Sequence, residues 1–248
     1  MKKKKIALVI GGNGGVGIEI TNKLLKDKFH VCATYNIKRE KLNKLKKSNK
    51  YSNSLSIHNL NFYNEKESRS SLKRILKKYK KIDVIIFAIS KEIQNKRIFE
   101  IPWKELKEHL DLQLKSLYLS SIILEDQIKS GYKTKFLVIL TEYCFSSPPK
   151  GLSHYVTAKY AAMGLAKSIS QEISEYGSTC NMISPGMIET DLLKKLPRKL
   201  IELNSSKNPM RRNCDTKDIS NLVSFLASEK SDYLNGANIV INGGNILF

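Results

Sequence analysis

The sequence predicts an α/β fold, a doubly wound parallel sheet with helices on both faces. Short apolar runs of strand length alternate with segments of helical periodicity from one end of the 248-residue chain to the other. This alternation is typical of parallel sheets whose crossover connections are helices. No repeat, low-complexity tract or linker interrupts it, so we expect one domain spanning residues 1–248.

The first half of the chain opens with the run Ile6–Ile10, which is apolar at every position. Such a run is expected for a parallel strand buried on both faces. Further strands are predicted at 31–35, 55–60 and 82–88, where short apolar runs recur. Apolar residues at helical spacing predict helices between them, at 18–28, 39–50 and 65–80.

The second half continues the alternation. Helices are predicted at 102–129, 155–176 and 215–228, the last capped by Asp215 or Thr216. Strands are predicted at 135–140, 178–184 and 237–241. Residues 187–213 form the one long irregular stretch, and because long loops in compact domains commonly serve as lids, we expect a substrate loop there.

The composition argues against several classes of protein. The formal net charge of +20 suits an acidic partner, but lysines are spread over the whole chain, which favours a general compositional bias. We therefore expect no specific nucleic acid partner. No apolar run reaches the roughly 18 residues of a membrane span, so no membrane association is expected. The four cysteines lack metal-site spacing and disulfide density, which predicts a reducing, cytoplasmic location and no metal.

A glycine-rich turn follows the first strand and precedes the first helix. Glycines let the backbone turn sharply and approach a pyrophosphate, and the helix N-terminus then supplies amide donors and a positive dipole end. This context is typical of a Rossmann-type dinucleotide site. The residues assigned to that site are Gly11, Asn13, Gly14, Gly15, Val16 and Gly17.

The residues after the second strand bear on which dinucleotide binds. An acid at this place usually holds the ribose 2′-hydroxyl of NAD, but the stretch 35–39 contains none. Lys38 and Arg39 could instead pair a 2′-phosphate, and Asn36 of the same stretch is assigned to the site with them. NADP(H) is therefore favoured over NAD(H). The alternative is a solvated basic helix start, a serious rival in so lysine-rich a chain.

Tyr155 and Lys159 are the residues predicted to transfer a proton and to assist that transfer. Their i, i+4 spacing places a phenol and an ammonium one turn apart on one helix face. A nearby cation favours phenolate, so Lys159 is expected to lower the pKa of Tyr155 from about 10 toward working pH. Such a phenol can protonate a carbonyl oxygen during reduction, or accept a proton in reverse.

These motifs, in this order, resemble the short-chain dehydrogenase/reductase family over essentially the whole chain, and most closely its 3-oxoacyl-[acyl-carrier-protein] reductase type. Gly11, Gly15 and Gly17 match Gly-x-x-x-Gly-x-Gly, and Tyr155 and Lys159 match Tyr-x-x-x-Lys. Residues 181–191 match the segment that brackets the nicotinamide. Residues 235–236 and 240–244 match the C-terminal strand.

The resemblance implies a role for each matched residue. Tyr155 is the expected general acid, and Lys159 is expected to bind the nicotinamide ribose as well as tune Tyr155. Ala88 and Asn61 are expected on the adenosine side, Asn61 in place of the family's usual Asp. The nicotinamide and its phosphate would be held by Pro185, Gly186, Ile188 and Thr190.

Three departures from the family pattern stand out. Residues 86–90 replace the usual Asn-Asn-Ala-Gly, so packing of the cofactor is expected to differ. Gln113 stands where the family has an Asn, and could still hold a proton-relay water with shifted geometry. The position of the catalytic Ser is occupied by Glu142, next to Thr141. Either a one-residue insertion puts Thr141 in the Ser role, which we favour because a carboxylate repels a developing alkoxide, or Glu142 points into the site.

The predicted activity is NADPH-dependent reduction of a ketone to a secondary alcohol. By resemblance the leading substrate is a 3-oxoacyl thioester on acyl carrier protein, and a sugar, polyol or other small alcohol is the alternative. A non-catalytic subunit of a heteromer is a further alternative, motivated by the departures above. Family members usually form tetramers, so a homotetramer is expected.

The remaining singled-out residues have simpler interpretations. His109 and Trp103 are predicted to pack within their helix, and His154 to face away from Tyr155. Basic residues of the lid form either an acidic-partner docking patch or a solvated face, with neither favoured. They are Lys194, Lys195, Arg198, Lys199, Arg211 and Arg212.

Overall fold

The computed structural model describes residues 4–48, 51–190, 193 and 198–247, so Lys194 and Lys195 of the predicted lid lie outside the described residues. A seven-stranded sheet, with all of its strands parallel, runs through the molecule in the order β3-β2-β1-β4-β5-β6-β7. The predicted doubly wound fold is confirmed. The strands are β1 Ile6–Ile10, β2 His30–Tyr35, β3 Leu55–Asn59, β4 Val84–Phe87, β5 Lys135–Ile139, β6 Thr179–Pro185 and β7 Asn238–Ile241.

Helices cover both faces of this sheet. The helices α1 and α8 pack together on one face, and α3, α4 and α6 pack on the other. In the described part of the chain, no helix has the length and apolar character that crossing a membrane requires. The helices are α1 Gly15–Lys26, α2 Glu40–Lys47, α3 Glu65–Tyr79, α4 Trp103–Ile123, α5 Glu125–Lys129, α6 Ser153–Ser174, α7 Arg198–Lys207 and α8 Thr216–Leu226.

The apolar runs are continuous because each strand buries both of its faces. In β1, Ala7 and Val9 belong to the core beneath α1 and α8, whereas Leu8 and Ile10 belong to the core beneath α4 and α6. Side chains alternate between the faces of a strand, so two covered faces require an apolar residue at every position.

The predicted helix 102–129 is two helices. The backbone leaves helical geometry at Leu124, and the short α5 begins after it. The side chain of Gln127 in α5 pairs with the backbone of Ile82, accepting from its N–H at 2.9 Å and donating to its C=O at 2.8 Å. Ile82 therefore bonds to a side chain rather than to a neighbouring strand, and β4 begins at Val84 instead of residue 82.

Two other predictions made from the sequence differ from the structure. The stretch 187–213 is not wholly irregular, because it contains α7. Trp103 does not pack within its helix: it is the first residue of α4 and is 69% exposed, whereas His109 is buried. At α8 the cap is Asp215, whose carboxylate accepts from the N–H of Lys217 at 2.7 Å.

The strand order reverses beside β1, and the glycine turn lies at this point. In such sheets a crevice opens at the carboxyl ends of the strands where the order reverses. Gly11 has a φ of +82°, and a Cβ there would lie 2.6 Å from the carbonyl oxygen of Ala88. A Cβ at Gly17 would lie 2.1 Å from the carbonyl oxygen of Gly11. The backbone at Gly11 and at Gly17 therefore lies in direct contact with other backbone atoms, and a residue with a Cβ does not fit at either position.

We expect Gly17→Ala to destabilise the protein by about 3 kcal/mol, because the added methyl overlaps a backbone atom that no side-chain rotation can move. Gly164 in α6 is the matched control, since a Cβ there meets nothing within 4 Å. Gly164→Ala should gain about 0.5 kcal/mol from its higher helix propensity. Urea unfolding at one protein concentration measures both, and equal midpoints for Gly17→Ala and the wild type would contradict the packing described.

Candidate active site

One cleft of about 710 Å³ lies at the carboxyl ends of β1, β2, β4, β5 and β6. It is roomy enough for a dinucleotide together with a small substrate group. Most of the predicted site residues line it. They are Gly11, Asn13, Gly14, Gly15, Val16, Asn36, Lys38, Ala88, Thr141, Tyr155, Lys159, Pro185, Gly186, Ile188 and Thr190.

The glycine turn presents backbone rather than side chains to the cleft. Gly14 caps α1 without any side-chain hydrogen bond, and the first turn of α1 holds no acidic residue. The N–H groups that begin a helix lack intrahelical acceptors and attract anions. A Cβ at Gly15 would lie 2.7 Å from the side chain of Thr190, so the loop after β6 closes over the turn. These features fit the pyrophosphate of a dinucleotide.

The end of β2 forms the far rim of the cleft. Lys38 and Asn36 line it, together with Glu40 and Lys41. Arg39 does not line the cleft, because its guanidinium lies over the ring of Tyr35 at 5.8 Å from the centroid. The prediction for Lys38 is thus compatible with the structure, whereas the structure does not bring Arg39 to the site.

The side chains of Asn13 and Asn61 both make hydrogen bonds within the protein. Asn13 lines the cleft, but its side-chain oxygen accepts from the N–H of Leu42 at 3.1 Å and so positions α2. The side-chain oxygen of Asn61 accepts from the N–H of Tyr63 at 3.2 Å within a turn. Asn61 does not line the cleft, where its neighbour Leu60 lies instead, and Gly17 contributes only through its packing.

Tyr155, Lys159 and Thr141 meet at the other end of the cleft. Thr141 follows β5, and its hydroxyl lies near enough to the Tyr155 phenol to act on the pKa of that phenol. The Lys159 ammonium lies 5.8 Å from the centroid of the Tyr155 ring. All three side chains are buried, with Tyr155 exposing 9% of its surface at the cleft wall. A proton donor, a hydroxyl and a cation thus share one dry corner of the cleft.

The sequence predicts a lowered pKa for Tyr155, and this prediction is wrong. Burial raises the pKa of the Tyr155 phenol, and the nearby Thr141 hydroxyl opposes this only in part. The Lys159 ammonium is itself buried, which lowers its pKa to about 8. It donates to the carbonyl of Ile139 at 2.8 Å rather than to the phenol. Tyr155 is therefore protonated at neutral pH, as a proton donor must be.

Gln113 contacts Lys159 directly. Its amide oxygen accepts from the Lys159 ammonium at 3.3 Å, and its amide nitrogen donates to the carbonyl of Ile89 at 2.7 Å. Both ends of the amide are therefore engaged, and Gln113 does not line the cleft. Gln113 thus contacts the side chain of Lys159, and its role in holding a relay water stays a prediction.

Glu142 faces away from the cleft. Both of its carboxylate oxygens accept from the Asn245 amide, at 3.2 and 3.1 Å, and the residue is 1% exposed. It lies against the C-terminal segment, whereas Thr141 lines the cleft. Of the two alternatives for the position of the family's Ser, the geometry matches Thr141.

Sequence reasoning missed an apolar wall beside Tyr155. Ile93, Leu152 and Leu193 are buried against Tyr155 and line the cleft, with Tyr143 and Met187 packed against them. These residues come from separate segments of the chain, and apart from Met187, which lies in the matched segment 181–191, none belongs to a motif. Only their apolar character marks them, and that is shared with the whole core. The backbone carbonyls of Ile89 and Ile139 were missed because backbone acceptors leave no sequence signal.

The described basic residues of the lid are largely paired. Arg198 contacts Glu202 at 3.0 Å and Glu189 at 3.4 Å, and Arg212 contacts Asp218 at 2.6 Å. Arg211 donates to the carbonyl of Ser206 at 2.7 Å. This favours the solvated face over the docking patch for these arginines.

Most of the chain matches known proteins. A family model described as enoyl-(acyl carrier protein) reductase matches residues 11–245. The chain is 31% identical over 245 residues to the 3-oxoacyl-[acyl-carrier-protein] reductase FabG of Buchnera aphidicola subsp. Schizaphis graminum (strain Sg), covering 98% of this chain and 97% of that protein. It is 27% identical over 248 residues to FabG of Staphylococcus aureus (strain Mu50 / ATCC 700699), covering 98% and 99%. The solved structure of ElxO with NADP bound has the same fold, with a TM-score of 0.85 at 24% identity, covering 98% of this chain and 99% of that chain.

We expect Glu142→Gln to become more stabilising as pH rises. Burial raises the pKa of the Glu142 carboxyl above its ordinary value. An acid whose folded pKa exceeds its unfolded value loses stability as pH rises through that interval, because ionisation favours the unfolded chain. The stability of the variant relative to the wild type should therefore increase steadily from pH 4 to pH 8.

Thermal or urea unfolding across pH 4–8 measures this difference. Glu65→Gln is the matched control, because Glu65 is exposed and pairs with Arg69 at 2.9 Å. A pH-independent difference for Glu142→Gln, or the same trend in Glu65→Gln, would contradict the burial of an ionisable carboxyl at position 142.

Proposed function

The chain belongs to the short-chain dehydrogenase/reductase family of NAD(P)-dependent oxidoreductases, and on that premise we propose that it uses NADPH to reduce a 3-oxoacyl thioester carried by an acyl carrier protein. The observation that carries this proposal is the single cleft that unites the glycine turn with Tyr155, Thr141 and Lys159. A cofactor site and a proton donor in one cavity are what carbonyl reduction requires.

The proposed mechanism assigns each step to a side chain. When bound, the reduced nicotinamide supplies the hydride that the substrate's carbonyl carbon accepts. Tyr155 gives its phenolic proton to the carbonyl oxygen, which becomes the hydroxyl of the product. Thr141 stabilises that oxygen and the phenolate by hydrogen bonding. Lys159, charged at neutral pH, stabilises the phenolate until it regains a proton.

The apolar wall supports an acyl substrate. Ile93, Leu152 and Leu193 stand beside the Tyr155 phenol, where the chain attached to a reacting ketone would lie. A sugar or polyol would leave its hydroxyl groups unpaired against these side chains, which costs binding energy. The relatives named 3-oxoacyl-[acyl-carrier-protein] reductase support the same substrate class. We further propose that residues 187–213 act as the substrate loop.

The far rim supports NADPH as the reductant. Lys38 and Lys41 line it with one acid, Glu40, so the charge at this rim is net positive. A ribose 2′-phosphate gains charge-assisted hydrogen bonds from such a rim, whereas a 2′-hydroxyl does not need them.

The outer faces of α4 and α6 support a homotetramer. Tyr118 and Ile122 of α4 are 49% and 41% exposed, and Tyr160 of α6 is 44% exposed. Apolar side chains on adjacent helices favour association with further copies of the chain.

The cysteines are free in the structure, which supports our placement of the enzyme in the reducing cytoplasm.

Tyr155→Phe should lower turnover of a 3-oxoacyl thioester by about 10³-fold, because it removes the proton donor and leaves the shape of the cleft. Loss of NADPH fluorescence follows turnover, and quenching titrations follow cofactor binding, which should change less than twofold. Tyr233→Phe is the control, as a fully exposed tyrosine that lies outside the cleft and outside α4 and α6. Undiminished turnover in Tyr155→Phe would refute the mechanism, and turnover of a polyol in place of the thioester would refute the substrate.

Lys38→Ala should raise the KM for NADPH about tenfold and leave the KM for NADH unchanged, because a charge-assisted hydrogen bond is worth about 1.5 kcal/mol. Arg39→Ala is the matched control: its guanidinium lies on Tyr35, so both KM values should move less than twofold. Equal increases in both KM values for Lys38→Ala would contradict recognition of a 2′-phosphate.

The reductase activity should decline above pH 8. Burial lowers the pKa of Lys159 to about 8, so the ammonium is present below that pH and is lost above it. The kcat/KM should fall about tenfold for each pH unit beyond the pKa if the charged form is required. In Lys159→Arg, which stays charged beyond pH 12, the alkaline decline should disappear even if the rate is lower. A decline that persists in this variant would assign it to another group.

A further inference from the structure

Two buried histidines face each other between α4 and α6, outside the cleft. His109 of α4 and His154 of α6 have ring centroids 4.6 Å apart, with the planes at 74°. His154 is fully buried and His109 is 3% exposed. The acid Glu105 lies one helical turn before His109 on α4. The three side chains each offer a ligand atom, and those atoms lie within 4.8 Å of one another.

The ring nitrogens of these histidines are unsatisfied. Within the described residues, Nε2 of His109 and both Nδ1 and Nε2 of His154 are buried without a hydrogen-bond partner. A buried polar group without a partner costs roughly 1–3 kcal/mol. Packing alone would be served better by apolar side chains at these positions. We therefore expect the two imidazoles to bind a ligand that accepts the lone pairs of their ring nitrogens.

We propose that Glu105, His109 and His154 form a Zn²⁺ site that ties α4 to the first turn of α6. Two imidazoles and one carboxylate are a ligand set that zinc accepts, with a fourth tetrahedral position left for water. Ligand atoms around tetrahedral zinc lie about 3.3 Å apart, so the cluster closes onto the ion by small side-chain rotations. The prediction of no metal rested on the spacing of the cysteines, and the spacing of Glu105, His109 and His154, which lie on two helices, gives no metal-binding signal in the sequence.

The charges of the cluster suit a divalent cation. Both imidazoles are buried, and an imidazole in its neutral form keeps a lone pair for the metal. Glu105 supplies a carboxylate, which forms an ion pair with Lys96. Lys96 contacts one oxygen of that carboxylate at 2.6 Å. A ligating carboxylate commonly holds such an outer partner through its other oxygen.

The surroundings are balanced in charge and partly open. Lys91 pairs with Glu108 beside His109, and Lys96 pairs with Glu105, so the ion pairs around the histidines cancel. The side chain of Glu105 retains 16% of its exposure, which gives the ion a path from solvent. His154 immediately precedes Tyr155, so zinc here would hold the helix turn that carries the proposed proton donor without entering the cleft.

The test is Zn²⁺ binding to the tag-free chain. Isothermal titration with Zn²⁺, and metal analysis after dialysis, should show one equivalent bound per chain, with a melting temperature that rises with Zn²⁺ concentration. Glu105→Gln, His109→Gln and His154→Gln should each weaken binding at least tenfold. Should a histidine variant fail to fold, Glu105→Gln decides, because that side chain is not fully buried.

The matched control is the double variant His30→Gln/His58→Gln, which removes the chain's other two histidines. Its zinc affinity should stay within twofold of the wild type. Absence of zinc binding, binding undiminished in Glu105→Gln and His154→Gln, or binding lost in the His30→Gln/His58→Gln control would each overturn the proposed site. Because the readouts are binding and melting, the result is independent of the proposed reductase activity.

Discussion

The proposed catalytic end of the sheet depends on how one buried ammonium is held. Among the described residues, Lys159 donates hydrogen bonds to neutral groups, the carbonyl of Ile139 and the amide oxygen of Gln113. Gln113 in turn reaches the carbonyl of Ile89. One chain of hydrogen bonds thus joins the ends of β4 and β5 to α4 and α6. It also explains why Gln rather than Asn can stand at 113, since the longer side chain spans both partners.

Because Lys159 is buried, its ammonium needs these hydrogen-bond partners. The same burial shifts the pKa values of both Lys159 and Tyr155. Burial lowers the pKa of Lys159 to about 8, and no carboxylate partner of the described residues offsets this. Burial acts on Tyr155 in the opposite sense and keeps the phenol protonated. Proton donor and cation are therefore both in the states that reduction needs at neutral pH. A buried Glu142 facing the cleft would disturb this balance, and its amide partner Asn245 holds it on the other side.

Much of the fold was predictable because local signals and global packing agree. The run at β1 is apolar at every position, and the structure buries both faces of that strand. Prediction failed where a tertiary contact decided the outcome. Gln127 takes the backbone of Ile82 away from the sheet, and nothing in either local sequence signals that pairing.

The predicted site residues also fall into a group that the sequence places correctly and a group that it does not. Residues whose role depends on backbone position, such as Gly11 and Gly15, lie where the motifs place them. Residues whose role depends on side-chain direction do not all follow. Arg39 turns onto Tyr35, and the Asn61 oxygen closes its own turn. The pKa of Tyr155 was assigned the wrong direction because the spacing of a tyrosine and a lysine contains no information about how deeply both are buried.

The measurement that tests the account most directly is the fate of the transferred hydrogen. NADPH carrying deuterium at the transferable position of the nicotinamide would be turned over with a 3-oxoacyl thioester, and the product examined by mass spectrometry. If the cleft brings the cofactor and the ketone together beside Tyr155, each alcohol molecule carries one deuterium on its carbinol carbon. Product without deuterium, or deuterium released to solvent, would contradict direct transfer within this cleft.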